Sequence, residues 1–311
     1  MKVLVTGANG QLGNALQKAG RIFFESHLLE LIALTRAEFD LLQLGNIATV
    51  LDGFLPDVII NAAAYTAVDS AETETELAQI INAEAVKKIA IWCQNHKKIL
   101  IHISTDFVFD GKKSSPYDIN DPTNPIGVYG KTKQQGEAFA LKECEAAYVV
   151  RTGWVYSEHG ANFVKTILRL ASEREHLGVV ADQIGTPTYA LHLAEMIWQL
   201  LLKKPQQKLW HFSDAGVASW YDFAVTIVQE AEILGLLTRK PVIKPITTLD
   251  YPTPAHRPAF SVLNKKNTWS ELNITPVHWQ AALSKMLTAL NSAKAVAGCR
   301  KNTSLSAKPL I

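Results

Sequence analysis

Over the first half of the chain, short apolar runs of strand length alternate with stretches of helical period. Lys2–Thr6 reads as a strand ending in a glycine turn, and residues 11–19 as the helix behind it. Residues 28–35 form a second strand, and residues 57–61, entered through Pro56, a third. Residues 73–96 have the period of one long helix. A strand at 98–104, a helix at 129–145 and a strand at Ala147–Thr152 follow. The strand runs are apolar at consecutive rather than alternate positions, so both of their faces are buried and the intervening helices supply the cover. The pattern predicts a doubly wound α/β fold with a parallel sheet.

After about residue 155 the rhythm loosens. Residues 162–172 and 190–202 read as helices, 208–212 as a strand, and 219–234 as a helix stopped by Gly235. A proline-punctuated stretch at 240–257 precedes a last helix near 276–290. The reading is a nucleotide-binding domain over residues 1–155 and a smaller mixed α/β substrate lobe over 156–291, which exchanges elements with the sheet domain. Residues 292–311 lack periodicity and read as a basic flexible tail.

Composition narrows the class. A chain of 311 residues, 48% of them hydrophobic, has material for two lobes with real cores, which excludes wholesale disorder. The net charge of +2 is unevenly spread: Lys294, Arg300, Lys301 and Lys308 lie in the last twenty residues with no acid, leaving −2 on residues 1–291. Such a body has no broad footprint for nucleic acid or an anionic membrane. Three scattered cysteines, Cys93, Cys144 and Cys299, make neither a disulfide framework nor a zinc site, as in a reducing compartment. Apolar runs such as residues 99–103 are far below the ~20 residues of a membrane span. The N-terminus lacks the pattern of a secretory signal. The expectation is a soluble, cytoplasmic protein.

Candidate chemistry begins at the first strand–helix junction, Thr6-Gly7-Ala8-Asn9-Gly10-Gln11-Leu12-Gly13. Glycines at Gly7, Gly10 and Gly13 permit a sharp turn and close approach of a pyrophosphate to the N–H groups of a helix start. In this context the motif makes the sheet Rossmann-type. Strand two ends Leu34-Thr35-Arg36 with no carboxylate until Glu38, which favours the 2′-phosphate of NADP over the ribose hydroxyls of NAD. Arg36 can equally be a solvated loop cation. Asp40-Leu41 can edge the adenine pocket, or Asp40 can cap a short helix.

Tyr129 and Lys133 share one helical face at i and i+4. A phenol titrating near ~10 needs a neighbouring ammonium to become an efficient acid or base. The same lysine can hold a nicotinamide ribose. Alone, such a pair is also what any exposed helical face carries. Strand four, however, ends in Ser104-Thr105-Asp106, where Thr105 can hold a carbonyl oxygen beside Tyr129. Strand three ends in Asn61-Ala62-Ala63-Ala64-Tyr65-Thr66, small residues against which a flat dinucleotide can lie.

On Val5 to Gly13, Asn61 to Glu72, Ser104 to Gly111, Val128 to Glu137, Arg151 to Tyr156, Asp182 to Tyr189, Ser219 to Ala224 and Arg257-Pro258-Ala259, the sequence resembles the extended short-chain dehydrogenase/reductase superfamily. Within it the chain is similar to the dTDP-4-dehydrorhamnose reductase family over about residues 1–290. The resemblance implies reduction of the C4 ketone of a dTDP-linked 4-keto-6-deoxy sugar, dTDP-4-dehydro-L-rhamnose, by NADPH, with NADH possible. Tyr129 would give the proton to the sugar oxygen, Lys133 would lower the tyrosine's pKa and hold the ribose, and Thr105 would bond the C4 oxygen. Asp106 and Trp154 would contact the sugar nucleotide. Gly7, Gly10, Gln11, Leu12, Gly13, Arg36, Asp40, Leu41 and Ala62, Ala63, Ala64, Tyr65 and Thr66 would line the cofactor. Bland readings stand beside these: Trp154 as core, Asp106 as a turn cap, Asp69 as the cap of the following helix.

Some relatives link a dimer through metal-bound carboxylates on the first helix. Here that helix reads Asn14-Ala15-Leu16-Gln17, so no metal is expected, and a homodimer stays open. Phe260 stands where similar sequences often carry an amide. Sugar-nucleotide dehydratases follow the threonine with Asp-Glu, whereas Thr105-Asp106 precedes Phe107 here, which favours net reduction. Two alternatives are a reductase of another nucleotide-linked 4-keto-6-deoxy sugar and a non-catalytic NADP-binding subunit like the regulatory subunit of methionine adenosyltransferase.

Overall fold

The computed structural model describes residues 1–23 and 30–303. Strand β1 (Lys2–Thr6) leads into helix α1 (Gln11–Phe23), and the described chain resumes as β2 (Glu30–Leu34). There follow α2 (Ile47–Phe54), β3 (Val58–Asn61), α3 (Val68–Ala71) and α4 (Thr75–Gln79), which passes through a π-helical turn at Ile80–Glu84 into α5 (Ala85–Asn95). β4 (Ile99–Thr105), α6 (Val128–Glu143) and β5 (Ala147–Thr152) complete the first half. The second half comprises β6 (Val155–Tyr156), α7 (Phe163–Glu173), β7 (His176–Val180), β8 (Ile184–Gly185), β9 (Thr188–Tyr189) and α8 (Ala190–Lys203). It ends with β10 (Leu209–His211), β11 (Ala218–Ser219), α9 (Trp220–Ile233), β12 (Val242–Ile246), α10 (Lys266–Leu272) and α11 (Trp279–Thr303).

Six parallel strands form the central sheet in the order β10-β5-β4-β3-β1-β2. Successive strand residues divide between two cores. Val3, Val5, Val58, Ile60, Ile101 and Val150 pack with Leu12 and Leu16 of α1 and with α8. Leu4, Ile59, Leu100 and Val149 pack on the opposite face with Ile47 of α2, Ile89 of α5 and Ala140 of α6. This is the doubly wound arrangement that consecutive apolar positions predict. The strand order reverses direction at β1, between β2 and β3, and ligands of such sheets bind outside the carboxyl ends of the strands there. Register brings Thr6 beside Asn61, Asn61 beside His102, and Thr105 beside Thr152 along that edge. Elements of the second half enter the same assembly. β10 extends the sheet beside β5, and α8, α9 and α11 share the core of α1.

Several elements differ from the sequence reading. The first two residues expected in strand two, 28 and 29, lie outside the described residues. The long helix over 73–96 is interrupted by the π-turn, where an extra residue pushes the Asn82 carbonyl sideways towards α6. The parallel pair β7–β12 went unread because β12 contains Pro245 and is mostly exposed, which erases any hydrophobic alternation. Helix α11 runs past residue 290 to Thr303, so the segment read as an aperiodic tail is helical in its first part, and 304–311 lie outside the described residues. No helix among the described residues is long and apolar enough to cross a membrane.

Candidate active site

The glycine turn is shaped by contacts that only glycine survives. Gly7 has φ +68°, and a Cβ on it would stand 3.1 Å from the backbone of Ala63. A Cβ on Gly13 would lie 2.2 Å from the Gly7 carbonyl oxygen. Gly10 N–H donates to that same oxygen at 2.9 Å. The loop is therefore wound down onto the start of α1, whose first N–H groups have no helical acceptor. This cradle fits a dinucleotide pyrophosphate, with glycine required where backbone meets backbone.

Not every residue predicted to line the cofactor presents its side chain. Leu12 and Leu41 are buried in the two cores, so each can offer only backbone. The Gln11 amide turns to β6 and the start of α7, donating to Val155 O at 3.3 Å and accepting from Asn162 Nδ2 at 3.0 Å. Arg36 is exposed, with Nε 3.6 Å from Asp40 Oδ1. Asp40 caps no helix; it accepts from Leu42 N in a local turn. After β3, Ala62, Ala63, Ala64 and Tyr65 are half-buried and Thr66 is exposed. Ala63 N donates to Thr6 Oγ1 at 3.0 Å. Asn82 holds the Tyr65 backbone from both sides, at 2.9 Å to its N and 3.1 Å to its O. The sequence reading passed over Asn82, which the π-turn aims at this loop.

Tyr129 meets Thr105, and Lys133 meets the β4 backbone at Ile103, because α6 starts tightly against the chain leaving β4. A Cβ on Gly130 would lie 2.2 Å from Phe107 O. Glu72 Oε1 accepts from Val128 N at 2.8 Å and ties down the helix start. Tyr129 shares a side-chain hydrogen bond with Thr105, and the Phe107 ring meets it edge-on at 5.7 Å. Burial pushes the Tyr129 phenol up to about 12, against the Thr105 hydrogen bond and with the help of the Asp106 charge. Lys133 is 2% exposed and its Nζ donates to Ile103 O at 2.6 Å. Burial pulls Lys133 down to about 8, opposed by Glu137. The expected lowering of the tyrosine by the lysine is thus absent from the polypeptide alone. Desolvation governs both groups, and the phenol is fully protonated at neutral pH.

Of the residues expected to meet the sugar nucleotide, Asp106 lies beside Thr105 and Tyr129, and Trp154 follows two residues after Thr152, the register neighbour of Thr105. Asp106 is 3% exposed, accepts from Thr105 Oγ1 at 3.1 Å and shares a hydrogen bond with Ser261, while burial lifts its pKa to about 6. The turn cap here is Thr105, which accepts from Phe107 N, rather than Asp106. Gly153 is obligatory, since a Cβ would lie 2.5 Å from Asp106 Cγ. Trp154 is half-buried at φ +51° and stacks on Trp220. Asp69, read as a cap, instead accepts from Arg257 Nη2 at 2.8 Å and Ala255 N at 3.2 Å. It ties the chain around residue 255 to α3. Among the described residues no His, Cys, Asp or Glu group is arranged to hold a metal ion.

Known proteins give the same architecture. The family described as RmlD substrate binding domain matches residues 1–292. A dTDP-4-dehydrorhamnose reductase of Aggregatibacter actinomycetemcomitans is 41% identical over 290 residues, 92% of this chain and 98% of that protein. The crystal structure of a dTDP-4-dehydrorhamnose reductase from Clostridium acetobutylicum superposes with a TM-score of 0.86 at 36% identity, covering 93% of this chain and 99% of that one. The enzyme of the same name from Bacillus anthracis, solved in complex with NADP, superposes with a TM-score of 0.85 at 35% identity over the same shares. The chain belongs to the RmlD substrate binding domain family, the family of the dTDP-4-dehydrorhamnose reductases.

Proposed function

We propose that the protein reduces the C4 ketone of dTDP-4-dehydro-L-rhamnose with NADPH, giving dTDP-L-rhamnose. The observation that carries this reading is the hydrogen-bonded Thr105–Tyr129 pair, with Lys133 one turn further on, at the carboxyl edge of the sheet beside the glycine cradle. NADPH, when bound, supplies the hydride. Gly7, Gly10 and Gly13 would let its pyrophosphate approach α1, the 62–66 segment would line it, and Arg36 would be the cation for its 2′-phosphate. The relative from Bacillus anthracis binds NADP, which supports that assignment.

The protein's own part in the chemistry is positional and acid–base. Thr105 and Tyr129 converge on one oxygen position, and the phenol is protonated there at neutral pH. A proton leaves Tyr129 Oη for the sugar oxygen as negative charge develops on it. The resulting phenolate lies one helical turn from Lys133, whose ammonium form would stabilise it. Asp106 and Trp154 bound the sugar side. A dehydratase needs a second acid beside Asp106, and Phe107 stands in that place. The reading places the protein in the cytoplasm, with a sugar nucleotide as its partner and no nucleic acid or membrane.

The test is the fall in NADPH absorbance with dTDP-4-dehydro-L-rhamnose, run beside dTDP- and GDP-linked 4-keto sugars and with NADH. Turnover is expected to be fastest with the dTDP-linked rhamnose precursor. Cofactor binding without turnover on any ketone would replace this reading by that of a non-catalytic subunit.

A further inference from the structure

Behind the site, four buried side chains form an unbroken line from β1 to the catalytic helix. Ala63 N donates to Thr6 Oγ1 at 3.0 Å, and Thr6 Oγ1 donates to Asn61 Oδ1 at 2.7 Å. Asn61 Nδ2 lies 3.2 Å from His102 Nδ1, and His102 Nε2 lies 3.4 Å from Lys133 Nζ. Thr6, Asn61 and His102 are wholly buried. We infer that His102 is a positioning residue whose tautomer is tied to the charge state of Lys133. The functional consequence rests on the reductase reading, but the linkage itself does not.

Donor counting fixes the direction of the line. A hydroxyl has one proton, and Thr6 directs its own to Asn61 Oδ1. That orientation turns the Asn61 amide nitrogen, which only donates, towards His102 Nδ1, so Nδ1 accepts. Burial alone keeps the imidazole neutral in this state, so its one proton sits on Nε2 and points at Lys133 Nζ. A donor aimed at an amine needs its lone pair. With the line running this way, Lys133 is a neutral amine that donates to Ile103 O.

The opposite direction suits the ammonium. The Asn61 amide reverses, His102 carries its proton on Nδ1, and Nε2 accepts from Lys133. Thr6 then accepts from both Asn61 and Ala63, and its own proton loses its acceptor. The hydroxyl on β1 therefore biases a lysine two side chains away towards the amine. The other charged group facing Lys133 is Glu137 on α6, whose carboxylate is held by Arg151 of β5 at 2.8 and 2.7 Å. Tyr129 stands one turn before it. Loss of the Tyr129 proton puts a negative charge one turn before Lys133, which favours its ammonium form and with it the reversed line.

The test uses the cofactor-free protein with ¹⁵N-labelled histidine. Two-bond ¹H–¹⁵N spectra are followed from about pH 6 to about pH 10, bracketing the ordinary histidine and lysine ranges. His102→Gln identifies the His102 signals by their loss. The expected result is a neutral His102 protonated on Nδ1 at low pH and on Nε2 at high pH. In Thr6→Val, which removes the biasing hydroxyl and keeps the shape, the midpoint moves up by about one pH unit. A single tautomer throughout, titration to imidazolium, or a midpoint unmoved in Thr6→Val overturns the inference. None of these depends on turnover, so failure of the reductase reading is seen separately.

Discussion

The indole of Trp154 lies flat on that of Trp220, with ring centroids 3.5 Å apart and 5° between their planes. Phe163 closes the stack at 4.6 Å from Trp220. Trp154 reaches this position at φ +51°, a left-handed backbone that costs a non-glycine residue roughly 1–2 kcal/mol. The stack and the surrounding chain must outweigh that strain. One edge of the indole is admitted only because residue 185 has no side chain: a Cβ there would lie 2.6 Å from Trp154 Cε2.

Gly185→Ala is therefore expected to displace Trp154 from the stack. The KM for the sugar nucleotide should rise about tenfold, as for loss of one well-placed contact, while the NADPH Kd stays within twofold. Equal changes in both constants would mean that Trp154 does not belong to the sugar side.

Tyr129→Phe removes the phenolic proton and leaves the ring against Phe107. Turnover should fall by about 10²–10⁴-fold, the range of a positioned acid, with NADPH affinity preserved. A near-normal rate would take the proton-donor role away from Tyr129.

Asp106 adds a pH signature. Its pKa rises from 3.8 to about 6, mainly by burial. Between those values the native state holds a proton that the unfolded chain has released, so stability falls as pH rises through the window. Above about pH 6 the buried carboxylate costs roughly 3 kcal/mol. Asp106→Asn should raise stability near pH 7.5 by up to roughly 2 kcal/mol, after loss of one acceptor, and the gain should vanish by about pH 4. Urea unfolding at both pH values measures it. A gain equal at both would show that charge burial is not the cause.

Gly13→Ala drives a Cβ into the Gly7 carbonyl oxygen, and both are backbone, so the loop must move. A loss of roughly 1–3 kcal/mol in stability is expected, with NADPH affinity falling at least tenfold. Unchanged affinity in a folded variant would separate the glycine turn from the cofactor.

The glycine turn, Thr105, Tyr129 and Lys133 were legible because each is local. The motif sits at a strand–helix junction, and i, i+4 spacing fixes a helical face. Helix α2 carried a readable signal that went unused, with Ile47 and Leu51 four apart and both buried. Other features are not local. Asp69 and Arg257 stand 188 residues apart in sequence, and no spacing announces their ion pair. The π-turn that aims Asn82 has ordinary helical composition. His102 sits in an apolar strand run, where its meaning depends on Lys133 arriving from another element. Leu12 and Leu41 lie in sequence segments that resemble a lining, yet their side chains face the cores.

Arg36 decides the cofactor argument, because β2 ends without a carboxylate and the arginine side chain is 73% exposed beside Asp40. An exposed guanidinium facing a 2′-phosphate should act through charge-assisted hydrogen bonds that NADH cannot make. Arg36→Ala is therefore expected to weaken NADPH about tenfold and leave NADH nearly unchanged, with the NADPH loss shrinking at high salt. Isothermal titration with each cofactor at two ionic strengths checks it. If both cofactors weaken alike, Arg36 shapes the loop through Asp40 rather than reading the phosphate, and the preference must come from the turn that Glu38 forms with Thr35.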